Sequence, residues 1–154
     1  MTIKQTVMAW SVAAVVLMPL PALAAVNCSI STVGVVFGTY DVFAPTVLAS
    51  TGSVTINCVG VGAGVDQVSV ALSTGNAGSF QPRTMLRSGE PLNYNLYLDA
   101  AGTQIWGDGT GGTQKFASVS NNRPVTITIY GRIPPGQDVS IGSYSDTIVA
   151  TINF

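Results

Sequence analysis

Segments in which apolar and polar residues alternate one by one recur along this chain and constrain its fold more than any other feature. Valine, isoleucine, threonine and tyrosine dominate these segments, and glycine, serine, asparagine and proline separate them. A period of two residues is typical of β-strands that bury one face. No convincing helical pattern follows residue 24. The pattern is clearest in residues 54–58, 68–72, 92–98, 125–129 and 148–154.

Glycine- and proline-rich turns between these segments predict how the strands are arranged. Residues 60–64, 75–78 and 134–136 have the composition of turns. Shorter candidate strands are residues 33–37, 83–87, 104–106 and 115–119. A total of about seven to nine short strands favours an all-β protein, a β-sandwich formed by a single domain.

The first 24 residues have the features of a secretory signal peptide. Lys4 supplies the positive charge, residues 7–18 are apolar, and Ala22 and Ala24 place small residues where a signal peptidase reads. An apolar run of about 12 residues is too short to span a bilayer. We therefore predict cleavage after Ala24, a domain of residues 25–154, and no membrane span after cleavage.

The charge of the chain argues against nucleic acid as a partner. Without Lys4, five basic residues stand against seven acidic ones, which gives a net charge of 5 − 7 = −2. No basic patch is visible in the sequence. Charged residues make up only 8% of the chain, against about 25% in ordinary soluble domains. Such a low fraction indicates that partners cover part of the surface.

Few residues of this chain could carry out catalysis, and we predict that it is not an enzyme. The chain has no histidine to act as a general base. Glu90, the one glutamate, stands beside Pro91 before a predicted strand and is interpreted as a solvated turn residue. The remaining candidates lie in or next to turns, where aspartate caps the local backbone. They are Asp99, Asp108, Asp138 and Asp146.

No cofactor or metal is expected either. Residues 107–112 match the dinucleotide-binding glycine pattern, but that pattern requires a following helix, which is not predicted here. Asp108 lacks the series of ligands that a calcium loop needs. Cys28 and Cys58 are too few for a zinc site without histidine. In an exported chain, these two cysteines instead predict one disulfide.

Four aromatic residues leave two interpretations open. Trp106, together with Tyr97, Tyr130 and Tyr144, could form a surface that contacts glycans or apolar materials. Alternatively, most of these rings lie in the core or in cross-strand pairs. Trp106 is the candidate surface contact.

Three ordered groups of residues resemble the spore coat U domain family, which includes subunits of archaic (Csu-type) chaperone–usher pili. The first group is CSIS at residues 28–31 with VFGTYD at 36–41. The second is LNYNLYLDAA at 92–101 followed by WGDGT at 106–110. The third is YGRIP at 130–134 with GQ at 136–137, GSY at 142–144 and DT at 146–147. The resemblance covers essentially the whole of residues 25–154.

This resemblance implies an immunoglobulin-like sandwich that lacks its final strand. In such families a periplasmic chaperone lends a strand during export, and a neighbouring subunit replaces it after passage through an outer-membrane usher, which is a form of β-augmentation. A missing strand would bury about four or five apolar side chains, worth roughly 6–15 kcal/mol, which is comparable with a typical total stability of about 5–15 kcal/mol. The residues expected to line the strand-acceptor groove are Ile148, Ala150, Ile152 and Phe154.

The resemblance also implies roles for the cysteines and the N-terminus. The disulfide is expected to join the first strand to the second. Only three residues of the mature chain, 25–27, precede Cys28, and they span about 10 Å at most. We therefore expect a subunit that accepts a strand but does not donate one.

The function implied by the resemblance is that of a structural subunit of a pilus or coat. It would be exported through the periplasm to the cell surface, with neighbouring pilus or coat subunits as partners. The alternative is a tip adhesin that binds a surface or a glycan through exposed loops, Trp106 among them.

Overall fold

The computed structural model describes residues 27–59, 67–119 and 123–154. The predicted signal peptide lies outside these residues. Within them, none of the helices is long and apolar enough to cross a membrane. The strands are β1 (Asn27–Val33), β2 (Leu48–Val59), β3 (Gln67–Leu72), β4 (Arg83–Arg87), β5 (Glu90–Tyr97), β6 (Phe116–Val119), β7 (Val125–Ile133) and β8 (Ala150–Asn153), with one short 3-10 helix at Gly75–Ala77.

Two antiparallel sheets form the molecule. The larger has the order β1-β2-β7-β5-β4, and the smaller has the order β6-β3-β8. Their inner faces enclose one core, which confirms the predicted all-β, immunoglobulin-like β-sandwich.

The core consists largely of the apolar members of the alternating segments. In β3 and in the second half of β2, every second residue is almost completely buried, while the residues between them are more exposed. Strands β7 and β5 lie in the same sheet as β2 and add buried side chains to that side of the core, and β3 lies in the facing sheet. The buried residues on these four strands are Val54, Ile56, Cys58, Val68, Val70, Leu72, Leu92, Tyr94, Leu96, Ile127, Ile129 and Ile133. The period-two pattern therefore predicted the inner faces correctly.

A disulfide joins the first two strands, as expected. Cys28 on β1 faces Cys58 on β2 directly in the antiparallel register, and their sulfurs are bonded. Cys58 is buried in the core. The bond therefore fixes the edge strand of the larger sheet to its neighbour.

The prediction of a strand over residues 33–37 was wrong in its extent. Strand β1 ends at Val33, and residues 34–37 belong to no ladder. Two inner-face glycines explain the difference. A Cβ at Gly52 would lie 2.5 Å from the carbonyl oxygen of Val33, and a Cβ at Gly131 would lie 2.7 Å from Val35 and from the ring of Phe37. The chain thus leaves the edge of β2 and crosses the inner face of the larger sheet, where the glycines leave room.

Two other predicted strands are also shorter than expected. Residues 104–106 form only isolated bridges, Ile105 with Tyr97 and Trp106 with Gln114. Of residues 148–154, only Ala150–Asn153 form a strand.

Candidate functional site

An apolar groove of about 1370 Å³ opens between the two sheets. One wall consists of residues 32–43, from the last two residues of β1 onward, and the other of residues 139–148, which precede β8. The floor is formed by core side chains of both sheets. They include Val54, Leu72, Met85, Leu92, Leu96, Ile129 and Ile133. The groove therefore exposes part of the hydrophobic core along one side of the sandwich.

The first wall is attached to the larger sheet by polar contacts as well as packing. Ser50 Oγ donates a hydrogen bond to the carbonyl oxygen of Val36 (2.6 Å). The hydroxyl of Tyr40 donates to the carbonyl oxygen of Pro134 (2.9 Å) and accepts from the backbone N–H of Gln137 (3.0 Å). These contacts hold the wall across the inner face of the sheet.

Replacing Gly131 by alanine is expected to displace this wall. The added methyl group would overlap Val35 and Phe37, and overpacking of this kind costs about 1–3 kcal/mol. Urea unfolding of the purified protein measures the change. Gly34→Ala is the matched control, because a Cβ at Gly34 meets no atom within 4 Å. Equal stability of the two variants would contradict the crossing described here.

The second wall is attached along the outer edge of β4. The backbone N–H of Leu86 donates to the carbonyl oxygen of Ser145 (2.8 Å), and the N–H of Ser145 donates back to Leu86 (3.2 Å). Asp146 accepts hydrogen bonds from the hydroxyl of Tyr94 (2.6 Å) and from the backbone N–H of Asn76 (2.8 Å). Burial, together with this bond to Asp146, raises the pKa of Tyr94, so its hydroxyl remains a donor across the biological pH range.

Glu90 fastens the start of the same wall. Its carboxylate accepts a hydrogen bond from the backbone N–H of Ser140 (2.8 Å) and forms an ion pair with Arg87 (3.4 Å). The hydrogen bond from Ser140 is the main reason that the pKa of Glu90 is lowered. The interpretation of Glu90 as a merely solvated turn residue was therefore wrong, because it links β5 to the wall of the groove.

The lowered pKa of Glu90 predicts a dependence of stability on pH. Its contribution is fully present above the ordinary carboxyl pKa of about 4.3 and is lost as the pH falls through the lower pKa of the folded state. We expect Glu90→Gln to be less stable than the parent at pH 7, and the difference to shrink below about pH 4. Urea unfolding at several pH values measures it. A difference that is constant from neutral to acidic pH would show that the charge of Glu90 is irrelevant.

The edge of β8 that faces the groove carries unpaired backbone groups. The N–H of Ser73 donates to the carbonyl oxygen of Val149 (2.9 Å). Since hydrogen-bonded pairs alternate along an antiparallel ladder, the next residue and every second one after it direct their N–H and C=O away from β3. Within the described residues, β8 is the edge strand of its sheet. The groups pointing outward belong to Ala150 and Ile152.

The predicted groove residues occupy different positions. Ile148 and Ala150 line the groove. Ile152 is half-buried and packs against the core, while Phe154 is 60% exposed, because β8 ends at Asn153 and the chain leaves the sheet there. Their proposed contact with an incoming strand stays a prediction. The wall residues Val35 and Phe37 were not assigned to the groove, although their alternation was visible in the sequence.

The structure contradicts Trp106 as a surface contact. Its side chain is 0% exposed, its indole N–H donates to the carbonyl oxygen of Val70 (2.9 Å), and its ring lies 6.4 Å from that of Phe116. A large ring with a satisfied polar atom is stable in the core. The glycine-rich sequence after Trp106 suggested an exposed loop, but the indole points inward from it.

The aspartates serve the local backbone. Asp99 accepts from the N–H groups of Thr103 and Gln104, and Asp108 accepts from the N–H and hydroxyl of Thr110. These hydrogen bonds lower the pKa of both carboxyls. Across the described ranges, no three metal-ligating side chains are grouped to hold an ion.

The fold is similar to that of a chain in a solved structure. This is the crystal structure of the CsuC–CsuE chaperone–tip adhesion subunit pre-assembly complex from archaic chaperone–usher Csu pili of Acinetobacter baumannii. The TM-score is 0.60 at 20% sequence identity, and the match covers 84% of the present chain. The match spans 40% of the solved chain. At this identity, the likeness establishes a shared fold.

Sequence comparison is more specific. Protein U of Myxococcus xanthus is 34% identical over 130 residues, which are 77% of this chain and 70% of that protein. A family model, the Spore Coat Protein U domain, matches residues 14–151. The chain therefore belongs to the Spore Coat Protein U domain family.

Proposed function

We propose that this protein is a structural subunit of a secreted surface assembly, a pilus or a coat, and that it completes its fold by accepting a β-strand from a partner. The observation that carries the proposal is the groove beside β8. There, an opening onto the hydrophobic core coincides with unpaired backbone groups of Ala150 and Ile152. An added apolar strand would cover the exposed core and also pair with the free backbone groups of β8.

The chemistry of the groove fits such an occupant. Its floor is formed by aliphatic side chains together with Tyr94, and its lining residues include no lysine or arginine. The two charged residues among them are Asp41 and Asp146, and Asp146 is already hydrogen-bonded to Tyr94. An extended segment with alternating apolar residues could bury its apolar side on the floor and pair its backbone with β8.

The proposed partners follow from donor-strand complementation. A periplasmic chaperone supplies the strand during export, an outer-membrane usher receives the complex, and a neighbouring subunit then provides the permanent strand. The fold shared with a chain of a chaperone–subunit complex supports the chaperone and neighbouring subunits as partners. In this proposal the signal peptide of residues 1–24 directs the chain to the periplasm.

The absence of strand donation depends on residues 25 and 26, which lie outside the described part, and on Asn27, which already belongs to β1, and it stays a proposal. The alternative function of a tip adhesin assumed exposed loops with aromatic residues, Trp106 among them. The burial of Trp106 counts against it.

Co-expression tests the function directly. We would export the full chain with its leader into a periplasm, with and without the chaperone of its host, and measure soluble yield and complex formation. We expect the chaperone to increase the soluble yield severalfold and to be recovered with the protein in a one-to-one complex. A protease-resistant monomer that forms no complex would overturn the proposal.

Two variants of β8 connect the result to the groove. Ala150→Asp places a charge against the apolar groove and should abolish the complex. Thr151→Asp is the matched control, because Thr151 lies on the exposed face of the same strand. Equal loss of the complex in both variants would show that the chaperone binds elsewhere.

A further inference from the structure

A charged side chain lies in the core, on the inner face of β4. Arg83 is 0% exposed. Within the residues that the structure describes, the one ion pair is formed by Arg87 and Glu90, so the guanidinium of Arg83 has no carboxylate in direct contact. Burial lowers its pKa, but a guanidinium remains protonated in proteins. A buried cation is costly unless hydrogen bonds compensate for the lost water.

Carbonyl oxygens from separate parts of the chain supply most of that compensation. Nε and Nη2 of Arg83 donate to the carbonyl oxygen of Ser73 (3.0 and 2.9 Å). Nη2 also donates to the carbonyl oxygen of Trp106 (2.6 Å), and Nη1 donates to Oδ1 of Asn95 (2.8 Å). The guanidinium carbon lies 5.1 Å from the centre of the Phe80 ring, within cation–π distance.

The bond to Ser73 changes how β8 is attached to β3. In a regular ladder, the carbonyl oxygen of Ser73 would accept from the N–H of Val149. Here Arg83 binds that oxygen, and the N–H of Val149 donates to Ser73 Oγ instead (2.9 Å). On the side of β3 that faces away from β8, the backbone N–H of Leu72 donates to the carbonyl oxygen of Gly107 (3.1 Å). Gly107 follows Trp106, whose carbonyl oxygen Arg83 also binds.

From these contacts we propose that Arg83 is a positioning residue for the groove. It fixes the end of β3 to the loop at Trp106 and Gly107. It thereby sets the place where the chain, after Ile148, enters β8. The edge presented to an incoming strand then has a fixed position. The consequence for strand binding rests on the proposed function, whereas the effect on β3 and β8 does not.

Hydrogen exchange in Arg83→Lys tests the positioning. Lysine keeps the charge but lacks the planar fork that reaches separate acceptors. We expect amide exchange in residues 70–73 and 149–153 to become about tenfold faster than in the parent, while exchange in β2 and β7 changes by less than about twofold. Arg123→Lys, the same change at an exposed residue that does not line the groove, should leave all these rates unchanged. Uniform acceleration in every strand, or none, would overturn the proposal.

A second measurement concerns strand binding and separates the two proposals. In the chaperone complex, Arg83→Lys should increase the dissociation rate of the chaperone by about tenfold, and Arg123→Lys should not. An unchanged dissociation rate would refute the role in strand binding. If the parent forms no complex, the proposed function fails, and the exchange rates still decide whether Arg83 positions β8.

Discussion

Replacing Trp106 by alanine is expected to destabilise the protein by about 3–5 kcal/mol, because truncation of a fully buried aromatic ring leaves a large cavity. The indole is 0% exposed and packs beside Phe116. The variant also leaves the carbonyl oxygen of Val70 without its indole donor. Such a loss approaches the entire stability of many domains. We therefore expect a large drop in periplasmic yield, and a matching shift of the urea midpoint for any protein that folds.

Trp106→Phe is the informative companion to this variant. It retains an aromatic ring but loses the hydrogen bond to Val70, so a smaller loss is expected, of about 1–3 kcal/mol. A Trp106→Ala protein with an unchanged urea midpoint and reduced attachment to a surface would restore Trp106 as a contact residue. A stability that decreases from the parent to Trp106→Phe, and decreases further in Trp106→Ala, would support its place in the core.

Removal of the disulfide should have a comparable effect. The bond closes a loop with a sequence separation of 30 residues, for which the chain-entropy estimate is about 3–4 kcal/mol. The bond also joins an edge strand, β1, to β2, and the first wall of the groove begins at the end of β1. We therefore expect the Cys28→Ala, Cys58→Ala double variant to unfold at much lower urea concentration.

The comparison needs a control for the side chains themselves, because Cys58 is buried and its truncation also leaves a cavity. Unfolding of the parent protein with and without a reducing agent isolates the bond from the change in volume. The same shift in both experiments would assign the effect to the cross-link. A stability that is insensitive to reduction would contradict it.

The alternating pattern predicted the inner faces of the sheets because burial on one side of a strand has a direct signature in sequence. Val54, Ile56 and Cys58 are examples on β2, and each is buried as expected. Cys28 and Cys58 were paired correctly because an exported chain with two cysteines leaves one choice.

The path of the first wall across the inner face of the larger sheet had no such signature in the sequence. Gly52 and Gly131 occupy inner-face positions, and a glycine in a strand indicates only weakened pairing or a close approach by another group. The partner that approaches, residues 33–37, is distant in sequence from Gly131. A single sequence does not specify which segment fills the space above a glycine, so residues 33–37 of this wall were predicted as a short strand of their own.

Arg83 was missed for a different reason. It alternates with Met85 on β4 and therefore shares the buried face of that strand, but charged residues are seldom fully buried without a partner. The carbonyl oxygens that stabilise it belong to Ser73 and Trp106, at the ends of other elements. Only the folded arrangement brings these acceptors together.

The two walls of the groove differ in what anchors them, and this difference has a mechanical consequence. The first wall continues from a strand that is covalently bonded to its sheet, whereas the second is held by hydrogen bonds to Leu86 and Glu90. Tension on a bound strand would therefore meet a stiff support on one side and a compliant one on the other. We expect rupture under load to begin at the compliant side, so the force that the junction withstands is governed by residues 139–146 rather than by the cross-linked edge.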